Sequence, residues 1–130
     1  MPAPSTYEYH VDALVDAHQA VLDLIDGGSS TGFVRLYTDA DAILAEIPLN
    51  DPAGTINATT GQLTITSSGP DTSANATGTC TWGAITDSDG TEIISLPATA
   101  GTSAVSGQLV LNSLSVVSGA EVTLVSATVG

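Results

Sequence analysis

The sequence predicts a mainly β fold, a β-sandwich or small barrel of about seven to eight strands with one N-terminal α-helix. Three observations carry this expectation. Apolar residues up to Gly28 recur with a helical period. From Phe33 onward the period drops to two. Clusters of Gly, Ser, Pro and Asp then divide the remainder into short Thr- and Val-rich runs. With 130 residues, 42% of them hydrophobic, the chain can bury a core without disulfides or metal staples. It reads as a single domain over 1–130, with an arm and helix in 1–28 and a β-rich body in 33–130. No internal repeat and no low-complexity tail interrupts it.

The helix comes first. In "PSTYEYHVDALVDAHQAVLDLIDGG", Ser5 stands three residues before Glu8, the spacing of a capping box. Val11, Leu14, Val15, Val21, Leu22 and Ile25 follow on one face, and Asp12, Asp16, Gln19 and Asp23 on the other. Gly27 and Gly28 are expected to end the helix in left-handed geometry. "FVRLYT" (33–38) and "AILAEIPL" (42–49) then alternate as strands, with Pro48 marking an edge or an end. "NDPAG" reads as a turn. Further strands are expected in "QLTITS" (62–67), "ATGTCTWGAIT" (76–86), "TEIISL" (91–96), "SGQLVLNS" (106–113) and "EVTLVSATV" (121–129). "SSGPDTSANATG" (67–78) reads as a flexible surface loop.

Charge narrows the function classes. Fourteen acidic residues stand against one basic residue, Arg35, giving a net charge of −13. Binding to phosphate backbones needs arginine and lysine, so nucleic acid is not an expected partner. Anionic membrane is equally unexpected. An acidic exterior serves solubility, suits salty surroundings, or suits display on a particle whose copies must not stick to one another. "MPAPSTYEYH" has neither a basic start nor an apolar segment, and no apolar run is long enough to span a bilayer. Synthesis in a cytoplasm is therefore expected, with Cys80 reduced and the sequons at Asn57 and Asn75 unused.

The richest stretch for chemistry is "ATGTCTWGAITDSDGTEI" (76–93), which holds the only cysteine and the only tryptophan. A nucleophilic cysteine needs a base to lower its pKa. The only histidines, His10 and His18, lie far away on the helix. Strand alternation instead sends Cys80 and Trp82 to a core or subunit-contact face and Thr77, Thr79 and Thr81 to the other. "DSDG" resembles the middle of a calcium loop. With Gly90 at the sixth position, however, the first and twelfth fall on Ile85 and Leu96, which cannot ligate. A hairpin turn with Gly90 in left-handed geometry is the expected outcome, and weak cation binding by Asp87, Asp89 and Glu92 is its lesser competitor. Arg35 is expected to pair with Glu46 on the next strand. His18 sits on the apolar helix face as a satisfied core or boundary residue. If the helix packed on its own copy, Val11, Leu14, His18, Val21 and Ile25 would form a short seam with His18 setting the register. No catalytic, cofactor-binding or metal-binding constellation is legible.

The phrases "LIDGGSSTGFVRLYT", "LAEIPLNDPAG", "ATGTCTWGAITDSDGTEI" and "LVLNS…VVSGAEVTLVSATVG" together resemble small virion proteins of tailed bacteriophages, from about Leu14 onward. This chain has fewer basic residues than such proteins usually carry. The resemblance implies a non-enzymatic capsid decoration (cement) protein on the virion surface. It would bind the major capsid protein between subunits and associate with itself, most simply as a homotrimer, without a cofactor. The arm Met1 to Tyr9 and the polar strand edges would be natural contacts. Within the same particle the alternative is a tail or head–tail joining protein. A receptor- or carbohydrate-binding β module is the alternative of a different class, disfavoured by loops poor in aromatics.

Overall fold

The computed structural model describes residues 10–130. Helix α1 (Val11–Ile25) precedes nine strands: β1 (Phe33–Tyr37), β2 (Ile43–Ile56), β3 (Leu63–Ser67), β4 (Gly78–Thr79), β5 (Trp82–Thr86), β6 (Glu92–Ala100), β7 (Leu109–Leu111), β8 (Ser115–Val116) and β9 (Leu124–Val129). Seven of them close into a barrel in the order β1-β2-β3-β9-β7-β6-β5, while β4 and β8 form a separate two-stranded ribbon. Of the two all-β architectures the sequence left open, the chain takes the barrel. Neighbouring strands run antiparallel except β6 and β7, which are parallel through Ala98↔Leu109, Thr99↔Val110 and Ala100↔Leu111.

Period-two patterning explains the barrel directly. In β1, Val34 and Leu36 point inward and are fully buried, and their partners Ile47 and Ala45 on β2 and Ile85 on β5 are buried with them. Leu49, Leu63, Leu109, Leu111 and Ala127 complete an interior built from aliphatic side chains. Each fully buried Leu, Ile or Val contributes about 1.5–3 kcal/mol relative to exposure.

Helix α1 lies across one end of the barrel and joins its core through Leu22 and Ile25. His18 is buried there, with Nδ1 2.6 Å from the Gly61 carbonyl in the β2–β3 turn. Because a carbonyl only accepts, Nδ1 carries the proton. The Asp26 carboxylate accepts from the Ala53 N–H at 3.1 Å, tying the helix end to β2. The other end is closed by β4, β8 and the connections flanking them. Cys80 N–H donates to Leu114 O at 2.8 Å, Ala74 N–H to Ala120 O at 2.9 Å, and Asp71 exchanges two backbone hydrogen bonds with Val122.

Several elements depart from the sequence expectation. The helix begins at Val11 after an extended His10, whose side chain makes no capping hydrogen bond; Ser5 and Glu8 lie outside the described residues. It ends at Asp26 in right-handed geometry, and neither Gly27 nor Gly28 has positive φ. The glycines are useful there for space, since a Cβ on Gly28 would collide with Ser88. "NDPAG" does not turn the chain. Strand β2 continues through it with a register shift between Leu49 and Gly54. Gly54 is needed because a Cβ there would strike the Thr64 carbonyl on β3. The reversal falls later, where Asn57 Oδ1 accepts from the N–H groups of Thr59 (2.8 Å) and Thr60 (3.1 Å). Residues 67–78 form a strap rather than a free tip. Asn75 N–H donates to Leu44 O at 2.8 Å, and the Asp71 carboxylate accepts from Glu46 N–H at 2.8 Å. "ATGTCTWGAIT" breaks into β4 and β5 at Cys80 and Thr81.

Candidate functional site

That break decides where the tryptophan goes. Cys80 turns into the core, whereas Trp82 starts β5 opposite Tyr37 and shares its outer face. The expectation that both face one way is corrected, because the chain between them is not continuous strand. Phe33 alternates with the inward Val34, and Tyr37, although buried, is placed on the outer face by its pairing and ring stack with Trp82. All three aromatic residues among the described residues therefore sit outside the barrel, on two adjacent strands.

The cluster is closely organised. The rings of Tyr37 and Trp82 stack with centroids 4.5 Å apart and planes 19° from parallel. The Trp82 indole N–H donates to Asp41 Oδ1 at 3.2 Å, and the Tyr37 hydroxyl donates to Glu92 Oε1 at 3.3 Å. Asp41 is placed by the β1–β2 turn, where it adopts φ 63°, and Thr38 Oγ1 accepts from the N–H groups of Ala40 and Ala42 at 3.2 Å each. Burial, helped by the Glu92 carboxylate and opposed by Arg35, pushes the Tyr37 hydroxyl above its ordinary pKa of 10.0.

Arg35 lies between Phe33 and Tyr37 on this face. Its Nε donates to Glu46 Oε2 at 3.1 Å, across the register pair the sequence pointed to. Burial opposes its charge, but the Glu46 carboxylate and Tyr37 outweigh that and hold the guanidinium pKa above its ordinary value. The β5–β6 turn folds against it. Gly90 adopts φ +86°, and a Cβ there would lie 2.8 Å from both Nη1 and Nη2 of Arg35. Gly90 thus serves the hairpin, as expected, and the close approach as well.

The remaining sequence candidates go elsewhere. Burial pushes the Cys80 thiol above its ordinary pKa of 9.0, outweighing its hydrogen bonding with the Tyr37 and Trp82 backbone, so the protonated form is favoured. Asp87 Oδ1 is occupied by the N–H groups of Asp89 (3.0 Å) and Thr91 (2.9 Å), and Glu92 turns to Tyr37. Among the described residues no three His, Cys, Asp or Glu side chains converge as a metal site. In the proposed helix seam, His18 and Ile25 are covered by the chain's own barrel, Leu14 and Val21 are half-buried, and Val11 is exposed. The arm Met1 to Tyr9 lies outside the described residues. No described helix is long and apolar enough to cross a membrane.

Two concavities open on the described surface. One, of about 240 Å³, opens between β3 and β9, whose ladder holds only Leu63↔Val129 and Thr64↔Thr128. The other, of about 480 Å³, runs between α1 and β2 beside Val15, Leu22, Pro52 and Ile56.

What the sequence missed was the outward aromatic face. The available signal was Phe33 and Tyr37 alternating with Val34 and Leu36, which places the two aromatics together opposite the aliphatic pair. Compared with known protein families, curated proteins and solved structures, the chain matches none.

Proposed function

We propose that this chain is a non-enzymatic structural protein of a tailed-bacteriophage virion. In this reading it decorates and stabilises the capsid by binding between subunits of the major capsid protein as an oligomer, most simply a homotrimer. The likeness of its β-phrases to small virion proteins suggests the particle. The observation that supports the docking chemistry is the surplus of 14 acidic residues over one basic residue, Arg35, itself paired with Glu46. With the one basic side chain engaged internally, a net charge of −13 has to be met by partners or salt. A rigid barrel repeated over a shell gains avidity, so each contact can be weak. Contacts across subunit boundaries would resist the outward pressure of packaged DNA.

The test is addition of the purified protein to capsids that lack it, followed by sedimentation. Co-sedimentation at a fixed stoichiometry, with light scattering giving a trimer, is expected. Failure to sediment with capsids at any salt concentration removes the reading, and a larger ring in solution favours a tail or head–tail joining protein instead.

A carbohydrate-binding module is the second reading, favoured by the outward Trp82 stack beside Asp41. Selective retention on a glycan array would promote it.

A further inference from the structure

We infer that the surface patch formed by the half-buried Trp82 and the exposed Asp41 and Glu92 is a docking surface for a lysine- or arginine-bearing surface of a partner protein. The inference goes beyond capsid decoration, since any basic partner satisfies it.

Aromatic side chains are the largest contributors a core can recruit, yet the barrel interior is filled with aliphatic residues, while Phe33 and Trp82 lie half-buried outside it with Tyr37 buried beside them. Trp on a surface is among the residue types that dominate protein interfaces. Trp82 is half-buried, so part of the indole remains open to a partner.

The donor edges of both rings are occupied, the indole N–H by Asp41 and the phenol O–H by Glu92. A ring whose donor edge is bound to a carboxylate is polarised toward a more negative face, which favours a cation above it. Asp41 and Glu92 are exposed, and each uses one oxygen on the ring edge, leaving its second oxygen beside the stack. A guanidinium lying on the indole can therefore meet a carboxylate oxygen with its own edge.

Arg35, the chain's one Lys or Arg, is committed elsewhere, turned to Glu46 and packed under Gly90. With 14 acidic residues against one basic, long-range attraction selects a basic partner and repels acidic ones. A neutral glycan would gain nothing from that field.

Trp82 is the only tryptophan, so its fluorescence reports this face alone. The probe is an octapeptide of alternating glycine and arginine, titrated at roughly 150 mM salt, where diffuse attraction is largely screened. A glycine–serine octapeptide and a neutral glucose oligosaccharide are the comparison ligands. A saturable change in Trp82 emission with the arginine peptide alone is expected. The Asp41→Asn/Glu92→Gln double variant should weaken it about tenfold. Asp12→Asn/Asp16→Asn, which removes the same charge from the exposed helix face, should change it less than about twofold. No emission change, equal weakening in both double variants, or a response to the oligosaccharide instead would overturn the inference. A protein that passes this titration yet never sediments with capsids keeps this docking face and loses the decoration reading. One that sediments but fails the titration does the reverse.

Discussion

The two faces of strand β1 are made from alternate residues of five, and they obey different physics. Inward, Val34 and Leu36 are fully buried among other aliphatic side chains. Their contribution is area removed from water, which has no direction and tolerates apolar residues of similar volume. Outward, Arg35 and Tyr37 are held by a salt bridge, a hydrogen bond and a ring stack, each with a required geometry. The inner face therefore sets how stable the barrel is, and the outer face sets what the barrel presents.

The largest expected effect tests the inner face. Leu36→Ala leaves a cavity in a closed barrel with little room to collapse, and should cost about 2–5 kcal/mol. Urea unfolding measures it directly. The same experiment on Tyr37→Phe, which keeps the ring and removes one half-exposed hydrogen bond, should cost no more than about 1.5 kcal/mol. Equal losses would mean that the two faces share one kind of stabilisation.

Alkaline pH sharpens the comparison, because each end of the Cys80–Trp82 segment contacts a group whose pKa is raised. Cys80 is pushed up by burial, and Tyr37 by burial and Glu92. In both cases the folded protein holds the proton more tightly than the unfolded chain. The stabilisation is complete below the ordinary values of 9.0 and 10.0 and is lost as pH rises through the folded-state values. Stability should thus begin to fall above about pH 9, with a slope of up to about 1.4 kcal/mol per pH unit for each group. Cys80→Ala should remove the earlier part of the decline and Tyr37→Phe the later part. A decline unchanged in both variants would assign it to other groups.

Gly90 is the next smaller test. Gly90→Ala places a side chain at φ +86° and against the Arg35 fork. The backbone strain alone should cost about 1 kcal/mol. The clash adds to it only while Arg35 is present, so the cost should drop in an Arg35→Met background. An unchanged cost would mean that Arg35 yields freely to the new methyl group.

The same contrast between faces explains how much could be read in advance. Helix α1, the alternation of β1, the Arg35–Glu46 pair and the Asp87–Gly90 hairpin follow from local period, spacing and turn chemistry. The passage of β2 through "NDPAG" does not, because that depends on Gly54 lying against the Thr64 carbonyl of a later strand. Nor does the parallel pairing of β6 with β7, which joins residues beyond the reach of any turn signal. Trp82 was the costliest miss. Period two told that it shares a face with its neighbours, but the face it takes is fixed by its register with Tyr37, and the interruption at Cys80 and Thr81 resets that register. The outer face as a site was legible only in part, since its members come from β1, β2, β5, β6 and the turns between them.

The smallest expected effect concerns the Arg35–Glu46 pair itself. Its side chains remain 26% and 33% exposed, so water still screens the two charges, and their attraction in that setting is worth roughly 0–1 kcal/mol. A double-mutant cycle with Arg35→Met and Glu46→Gln isolates that coupling from the packing of the arginine stem. The expected coupling is below about 1 kcal/mol and should shrink further in high salt. A salt-insensitive coupling of about 3 kcal/mol would place the pair in a dry environment like that of Val34 and Leu36. The distinction between the two faces of β1 would then rest on residue type alone and not on solvent.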